Sequence, residues 1–120
     1  MKTTKEKIKL VKSVHEKICR YFDVNRLASL AMDRRSKYKY PRQLTHYFIC
    51  ESLKNMIELR IIANHTGVKS HGTVLFSHKM IKNLIDTELK TRKHIEYLRK
   101  KLNVITEFKE TYDYMSNYII

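Results

Sequence analysis

Two short stretches concentrate side chains that can grip a polyanion. The first is Arg34-Arg35-Ser36-Lys37-Tyr38-Lys39-Tyr40-Pro41-Arg42-Gln43 and the second is Lys69-Ser70-His71-Gly72-Thr73-Val74-Leu75-Phe76-Ser77. Guanidinium groups fork onto phosphate oxygens, and arginine is favoured where a narrow A/T-rich minor groove focuses negative potential. Arg34 and Arg35 suit that groove, Lys37 and Lys39 suit phosphates, and Arg42 with Gln43 suits a phosphate clamp in a helix first turn. Imidazole and hydroxyl groups donate to base edges or phosphates, and a phenyl ring presses on a thymine methyl. His71, Thr73 and Phe76 offer those contacts, with Lys69, Ser70 and Ser77 beside them. Each residue also has a plainer reading. Lys69 can be a solvated lysine, His71 a surface or capping histidine, and Phe76 a ring packed into a core or partner. Tyr38 and Tyr40 more simply brace the loop, and Arg42 can pair with Glu51.

The elements that must position these groups are helices. Ile8, Val11, Val14, Ile18 and Phe22 recur at three- and four-residue spacing, which predicts a helix over 4–22. Asn25 can cap a short helix through Ala31. Residues 33–40 read as loop. Pro41 suits the first helical turn, where its missing N–H would be unpaired anyway, and that helix should reach about Asn55. A scaffold helix follows over 58–65. Gly67 then supplies a left-handed turn residue, and Ser70 caps a helix over 71–84. On this last helix, Val74, Leu75, His78 and Ile81 fall within the inner arc. Gly72, Thr73, Phe76 and Met80 form the outer arc, with Ser77 at its edge. Further helices are expected over 88–102 and, along a stripe of Phe108, Tyr112, Met115 and Ile119, over 104–119.

Composition narrows the class. The chain has 120 residues, 42% of them hydrophobic, with two glycines and one proline. That is one domain, built of long helices with few turns. The net charge is +13, unevenly spread. Residues 1–42 hold 13 basic and 4 acidic side chains, whereas residues 103–120 hold 1 and 3. Such a body suits a polyanion partner, although a lysine-rich solvated surface would give the same count. Cys19 and Cys50 read as reduced, buried thiols. No Cys-x-x-Cys or His-x-x-x-His pair occurs, so metal binding is disfavoured. No paired-carboxylate or Gly-x-Ser-x-Gly element points to catalysis. No signal peptide is expected from the charged first residues, and no apolar run reaches membrane-spanning length.

The order and spacing of three clusters resemble the C-terminal DNA-binding domain of the bacterial replication initiators of the DnaA family. The clusters are Arg34-Arg35-Ser36 with Pro41-Arg42-Gln43, the apolar helix to Glu51, and His71-Gly72-Thr73-Val74-Leu75. The resemblance extends more weakly over residues 8–102. It implies an all-α domain of five to six helices with a helix-turn-helix and a basic loop, Trp-repressor-like, over residues 1–102. Residues 103–120 are then a C-terminal helical extension without a counterpart. By the same resemblance Arg34 or Arg35 enters the minor groove, Arg42 and Gln43 lie over phosphates, and His71 and Thr73 read the major groove. The sequence departs from the family at Ser70, where an acidic residue is usual, at Gly72 in place of a threonine, and at Phe76 in place of a histidine. The segment between Gln43 and His71 is also about two residues longer than the family's. The base-reading surface has therefore changed.

The resemblance implies a double-stranded DNA-binding protein and no enzyme, with no cofactor, nucleotide or metal. Gly67 and Gly72 cannot form a phosphate-binding loop, so the initiator's ATPase module has no counterpart in these residues. A regulator of replication or transcription is expected, encoded by a phage or mobile element in one version. It would be cytoplasmic and nucleoid-associated, or in the virion if phage-encoded. The competing classes are a low-specificity DNA-coating protein and a protein-interaction adaptor. The tail's apolar stripe suits a homodimer through the C-terminal helix.

Overall fold

The computed structural model describes residues 3–30, 36–52 and 56–102, which form six helices and, among the described residues, no strand. They are α1 (Thr4–Tyr21), α2 (Arg26–Leu30), α3 (Ser36–Ser52), α4 (Leu59–Asn64), α5 (His71–Thr87) and α6 (Leu89–Leu102). The all-α class is therefore as expected. Arg34, Arg35 and the whole tail, with its expected helix and dimer stripe, lie outside the described residues.

Local signals set the helix ends. Thr3 caps α1 by accepting the Glu6 N–H at 3.2 Å. At the far end Asp23 takes φ 55°. Its N–H reaches the Arg20 carbonyl at 3.1 Å, and the Val24 N–H reaches the Cys19 carbonyl at 2.9 Å. This is a left-handed helix stop with aspartate in the usual glycine place. Gly67, at φ 78°, does the same after α4, where the Val68 N–H reaches the Ala63 carbonyl at 3.2 Å. Ser70 caps α5, its Oγ accepting the Thr73 N–H at 3.2 Å. α5 runs three residues beyond the expected end, and Glu88 alone links it to α6.

α3 lies at the centre, packed most extensively on α5 and also on α1 and α2. The core is a single cluster contributed by every helix except α2. Val14 and Ile18 of α1 meet Leu44, Phe48 and Ile49 of α3, with Ile62, Val74, Ile81, Ile95 and Leu98 closing around them. Burying such side chains is worth roughly 1.5–3 kcal/mol each before the entropy cost of ordering them. Cys19 is buried and Cys50 half-buried, both as free thiols. Burial pushes each thiol up to about 11, which makes them poor nucleophiles.

The start of α3 corrects the expected loop. From Ser36 onward the chain is helical, so Lys37 and Lys39 are helix residues and Pro41 sits inside the helix, not at its first position. Proline there removes the N–H that would pair with the Lys37 carbonyl. The gain that offsets this is aromatic burial. Tyr38 is 8% exposed, and Tyr40 packs edge-on against Phe22 with ring centroids 5.4 Å apart. Tertiary packing of this kind commonly outweighs helix propensity.

The inner arc of α5 is also shifted. Val74, Ser77 and Ile81 are buried, whereas Leu75 is 51% exposed. Ser77 lies against α3, where a small side chain permits close approach, and its Oγ donates to the Thr73 carbonyl at 2.9 Å. His78 is half-buried with Nε2 3.1 Å from Glu51 Oε2.

Candidate nucleic-acid interface

α4, the Gly67 turn and α5 form a helix-turn-helix, the arrangement that the Gly67 and Ser70 signals predict. A buried polar seam holds the turn in place. The ring of His15 is fully buried, accepting from Arg26 Nε at 3.2 Å and lying 3.2 Å from Ser29 Oγ. Arg26 also donates to the His65 carbonyl at 3.0 Å. His46 Nε2 lies 2.8 Å from Thr66 Oγ1, which itself donates to the Ile62 carbonyl at 2.7 Å. Burial, reinforced by Arg26 and Arg42, holds His15 down at about 4. Burial, with His15 and Arg42 nearby, holds His46 at about 3. Both rings are neutral at physiological pH, as partnered interior histidines should be.

Gly67 completes the seam. A Cβ on it would lie 2.7 Å from Leu30 Cα and 2.8 Å from the Leu30 carbonyl oxygen. The end of α2 is thus pressed against the turn.

Arg42 belongs to this seam, not to the surface. It is 6% exposed and donates through a terminal guanidinium nitrogen to the Ser29 carbonyl at 2.8 Å. The phosphate-clamp reading therefore needs correction, and helix phase gives the reason. On α3, residues 38, 42, 45 and 49 share an inward stripe, and all four are buried.

The other residues singled out in the sequence sit outside. Lys69, Ser70, His71 and Thr73 are exposed around the start of α5, and Phe76 is 55% exposed one turn on. Ser77 is the exception, buried beneath them. Across from these, Lys39 is exposed and Gln43 half-buried on α3. A cleft of about 300 Å³ joins the two helices, lined by Lys39, Gln43, Val68, Thr73 and Phe76. Lys37 is exposed, its ammonium 5.0 Å from the Tyr38 ring centroid. Gly72 has open space around it, since a Cβ there would meet nothing nearer than Ser70 Oγ at 3.8 Å. The bare backbone at a helix N-terminus favours an approaching anion.

His15, Ser29, His46 and Thr66 were not legible as a network from the sequence. His15 and His46 each sit among apolar neighbours at helical spacing, and that pattern marks a buried polar residue without naming its partner. Among the described residues no group of three potential ligands is placed to hold a metal ion, and no helix is long and apolar enough to cross a membrane.

The fold and this surface define an all-α domain built on a helix-turn-helix. In sequence the chain is similar to the chromosomal replication initiator DnaA. It is 28% identical to the protein of Caldanaerobacter subterraneus subsp. tengcongensis over 92 residues, and 22% identical to that of Lactococcus lactis subsp. cremoris over 91. These matches cover 77% and 76% of the chain but 20% of each initiator, so the chain spans about a fifth of their length. The similarity supports a DnaA-like domain. No family model and no solved structure matches the chain.

Proposed function

We propose that the chain is a sequence-specific double-stranded DNA-binding protein equivalent to the C-terminal domain of DnaA. α5 reads the major groove, and Arg34 and Arg35 reach the adjacent minor groove. The observation that carries this reading is the convergence of Thr73 and Phe76 on α5 with Lys39 and Gln43 on α3 across one cleft. Lysine and amide there meet the phosphates that flank the base edges faced by Thr73 and Phe76. The net charge of +13 supplies the long-range attraction. The biological role is regulation of replication or transcription at sites of initiator-like organisation.

Selection of bound sequences from a random duplex library tests the reading, and a consensus is the expected result. Thr73→Ala and Phe76→Ala should each change preference at particular positions, by about 1–3 kcal/mol per lost base contact. Binding should weaken with salt at a log–log slope of roughly −5, as for about five to six neutralised phosphates. Absence of a consensus, with uniform weakening by both variants, would make the protein a DNA-coating factor.

A further inference from the structure

A second surface, away from the start of α5, interleaves aromatic rings with lysines. Tyr21 of α1 and Tyr97 of α6 stack with centroids 4.6 Å apart and planes inclined by 27°. They are 37% and 43% exposed. His94 meets the edges of both Tyr21 and Phe22, at 5.8 Å and 5.1 Å. The rings continue to Tyr40, whose hydroxyl lies 3.0 Å from His94 Nδ1. On α6, Lys90, His94, Tyr97 and Lys101 follow at spacings of four, three and four residues, which places them on one face. Lys101 Nζ lies 5.3 Å from the Tyr97 ring centroid. A groove of about 670 Å³ opens beside this face. Phe22, Tyr40 and His94 lie on one side of it, Met80 and Leu84 of α5 on the other, with Lys37, Lys39 and Lys90 around them.

Closing the core explains Phe22 and Tyr40. It does not explain an exposed stacked pair with a lysine held over it. Flat ring faces alternating with cations match a ligand that alternates flat bases with phosphates. We propose that this seam binds single-stranded nucleic acid, at a site distinct from the duplex-reading start of α5. From Lys90 to Lys101 the face is about 17 Å long, the length of roughly five nucleotides at stacked rise. Lys39 and Gln43 line both this groove and the α5 cleft, so a strand can pass from one to the other. Two carboxylates stand near the path. Glu88 lines the groove but accepts a hydrogen bond from Thr91 Oγ1 at 2.9 Å, and Glu96 is exposed on α6. The lysines outnumber them.

The test uses the full chain, fluorescently labelled oligo-dT of fifteen nucleotides and a blunt duplex, read by anisotropy. Oligo-dT is expected to bind saturably. Tyr97→Leu and Tyr21→Leu should each weaken it about tenfold, the loss of one stacked base, while Tyr97→Phe retains it. Blunt-duplex affinity should be unchanged in all three, whereas Thr73→Ala lowers duplex and spares oligo-dT. Circular dichroism checks that each variant is folded. The proposal is overturned if oligo-dT does not bind saturably, or if the leucine variants bind it normally. It is also overturned if oligo-dT follows Thr73 instead of Tyr97, because one site would then serve both ligands. Tyr97-dependent binding of a labelled peptide of residues 103–120, with none of oligo-dT, would make the seam a peptide site and end the proposal too.

Discussion

The polar seam beneath the turn and the polar surface at the start of α5 are made from the same materials. Each has one glycine, a serine hydroxyl, histidine and a cation or amide of α3. In the seam these are Gly67, Ser29, His15 with His46, and Arg42, and each meets an internal neighbour, although Nδ1 of His46 is buried without a hydrogen-bond partner. On the surface they are Gly72, Ser70, His71 and Gln43, arranged around an open cleft and an uncovered helix end. Residue type therefore does not separate structure from function here. What separates them is burial: the seam groups depend on a partner within the fold, whereas the surface groups, the Ser70 cap included, keep access to water. A buried polar group without a partner costs about 1–3 kcal/mol, so the seam must be closed. A surface group has water as an alternative and can wait for a ligand.

The largest expected effect breaks the seam by acid. His15 and His46 have folded values of about 4 and about 3, below the ordinary 6.5. The unfolded chain therefore binds protons that the folded chain refuses. Stability from these two groups is fully present above pH 6.5 and is lost as pH falls toward their folded values. Each imidazole contributes roughly 1.4 kcal/mol per pH unit in that window. From pH 7 to 5 the two together remove on the order of 3–4 kcal/mol, a large share of a typical domain's stability. Urea unfolding at pH 7 and pH 5 measures it. Equal stability at the two values would mean that both rings ionise in place, and the seam would be looser than its geometry implies.

Next in size is Gly67→Ala. The left-handed backbone costs an L-residue about 1–2 kcal/mol, and the added Cβ meets backbone atoms of Leu30 that cannot swing aside. A loss of about 3 kcal/mol is expected by thermal or chemical unfolding. A loss below about 1 kcal/mol would show that α2 can retreat from the turn without consequence.

The adjacent pair Arg42 and Gln43 divides the two regions within one helix turn. Arg42→Ala leaves the Ser29 carbonyl without its 2.8 Å donor and should cost about 2–4 kcal/mol of stability. Gln43→Ala should cost well under about 1 kcal/mol of stability and weaken duplex binding. Unfolding curves and duplex titrations on both variants give the four values. If Arg42→Ala keeps full stability and loses DNA, the assignment of Arg42 to the seam fails.

This pair also shows what was legible in the sequence. Caps and glycine stops are local signals, so Ser70 and Gly67 announced the helix-turn-helix correctly. The apolar stripe of α1 did the same for its helix. The phase of α3 was not local. Pro41 reads as a helix start, and only the burial of Tyr38 and Tyr40 against other helices extends α3 back to Ser36. Arg42 shares its stripe with Thr45 and Ile49 wherever the helix starts, and its inward partner, the Ser29 carbonyl, comes from another helix. The exchange of Leu75 and Ser77 on α5 has a similar cause, because the closeness of α3 selects the smaller residue. The partners of His15 and His46 come from α2 and from the turn, distant in sequence. Helical periodicity marks such a position as buried but carries no information about what lies across from it.

The smallest effect gives the sharpest contrast. Gly72→Ala adds to α5 the same methyl group that Gly67→Ala adds to the turn. Here the Cβ meets only Ser70 Oγ, at an ordinary 3.8 Å. Alanine is the better helix residue, so stability should rise by about 0.5–1 kcal/mol. Duplex affinity should move the other way if a DNA backbone approaches the uncovered first turn, since the methyl would stand in its path. Thermal unfolding and duplex titration on one protein sample read both. A gain in stability with a loss of binding marks the start of α5 as a surface left open for a ligand. A gain in stability with unchanged duplex affinity would place the DNA elsewhere on α5, toward Phe76, and Gly72 would then be a residue the fold tolerates without using.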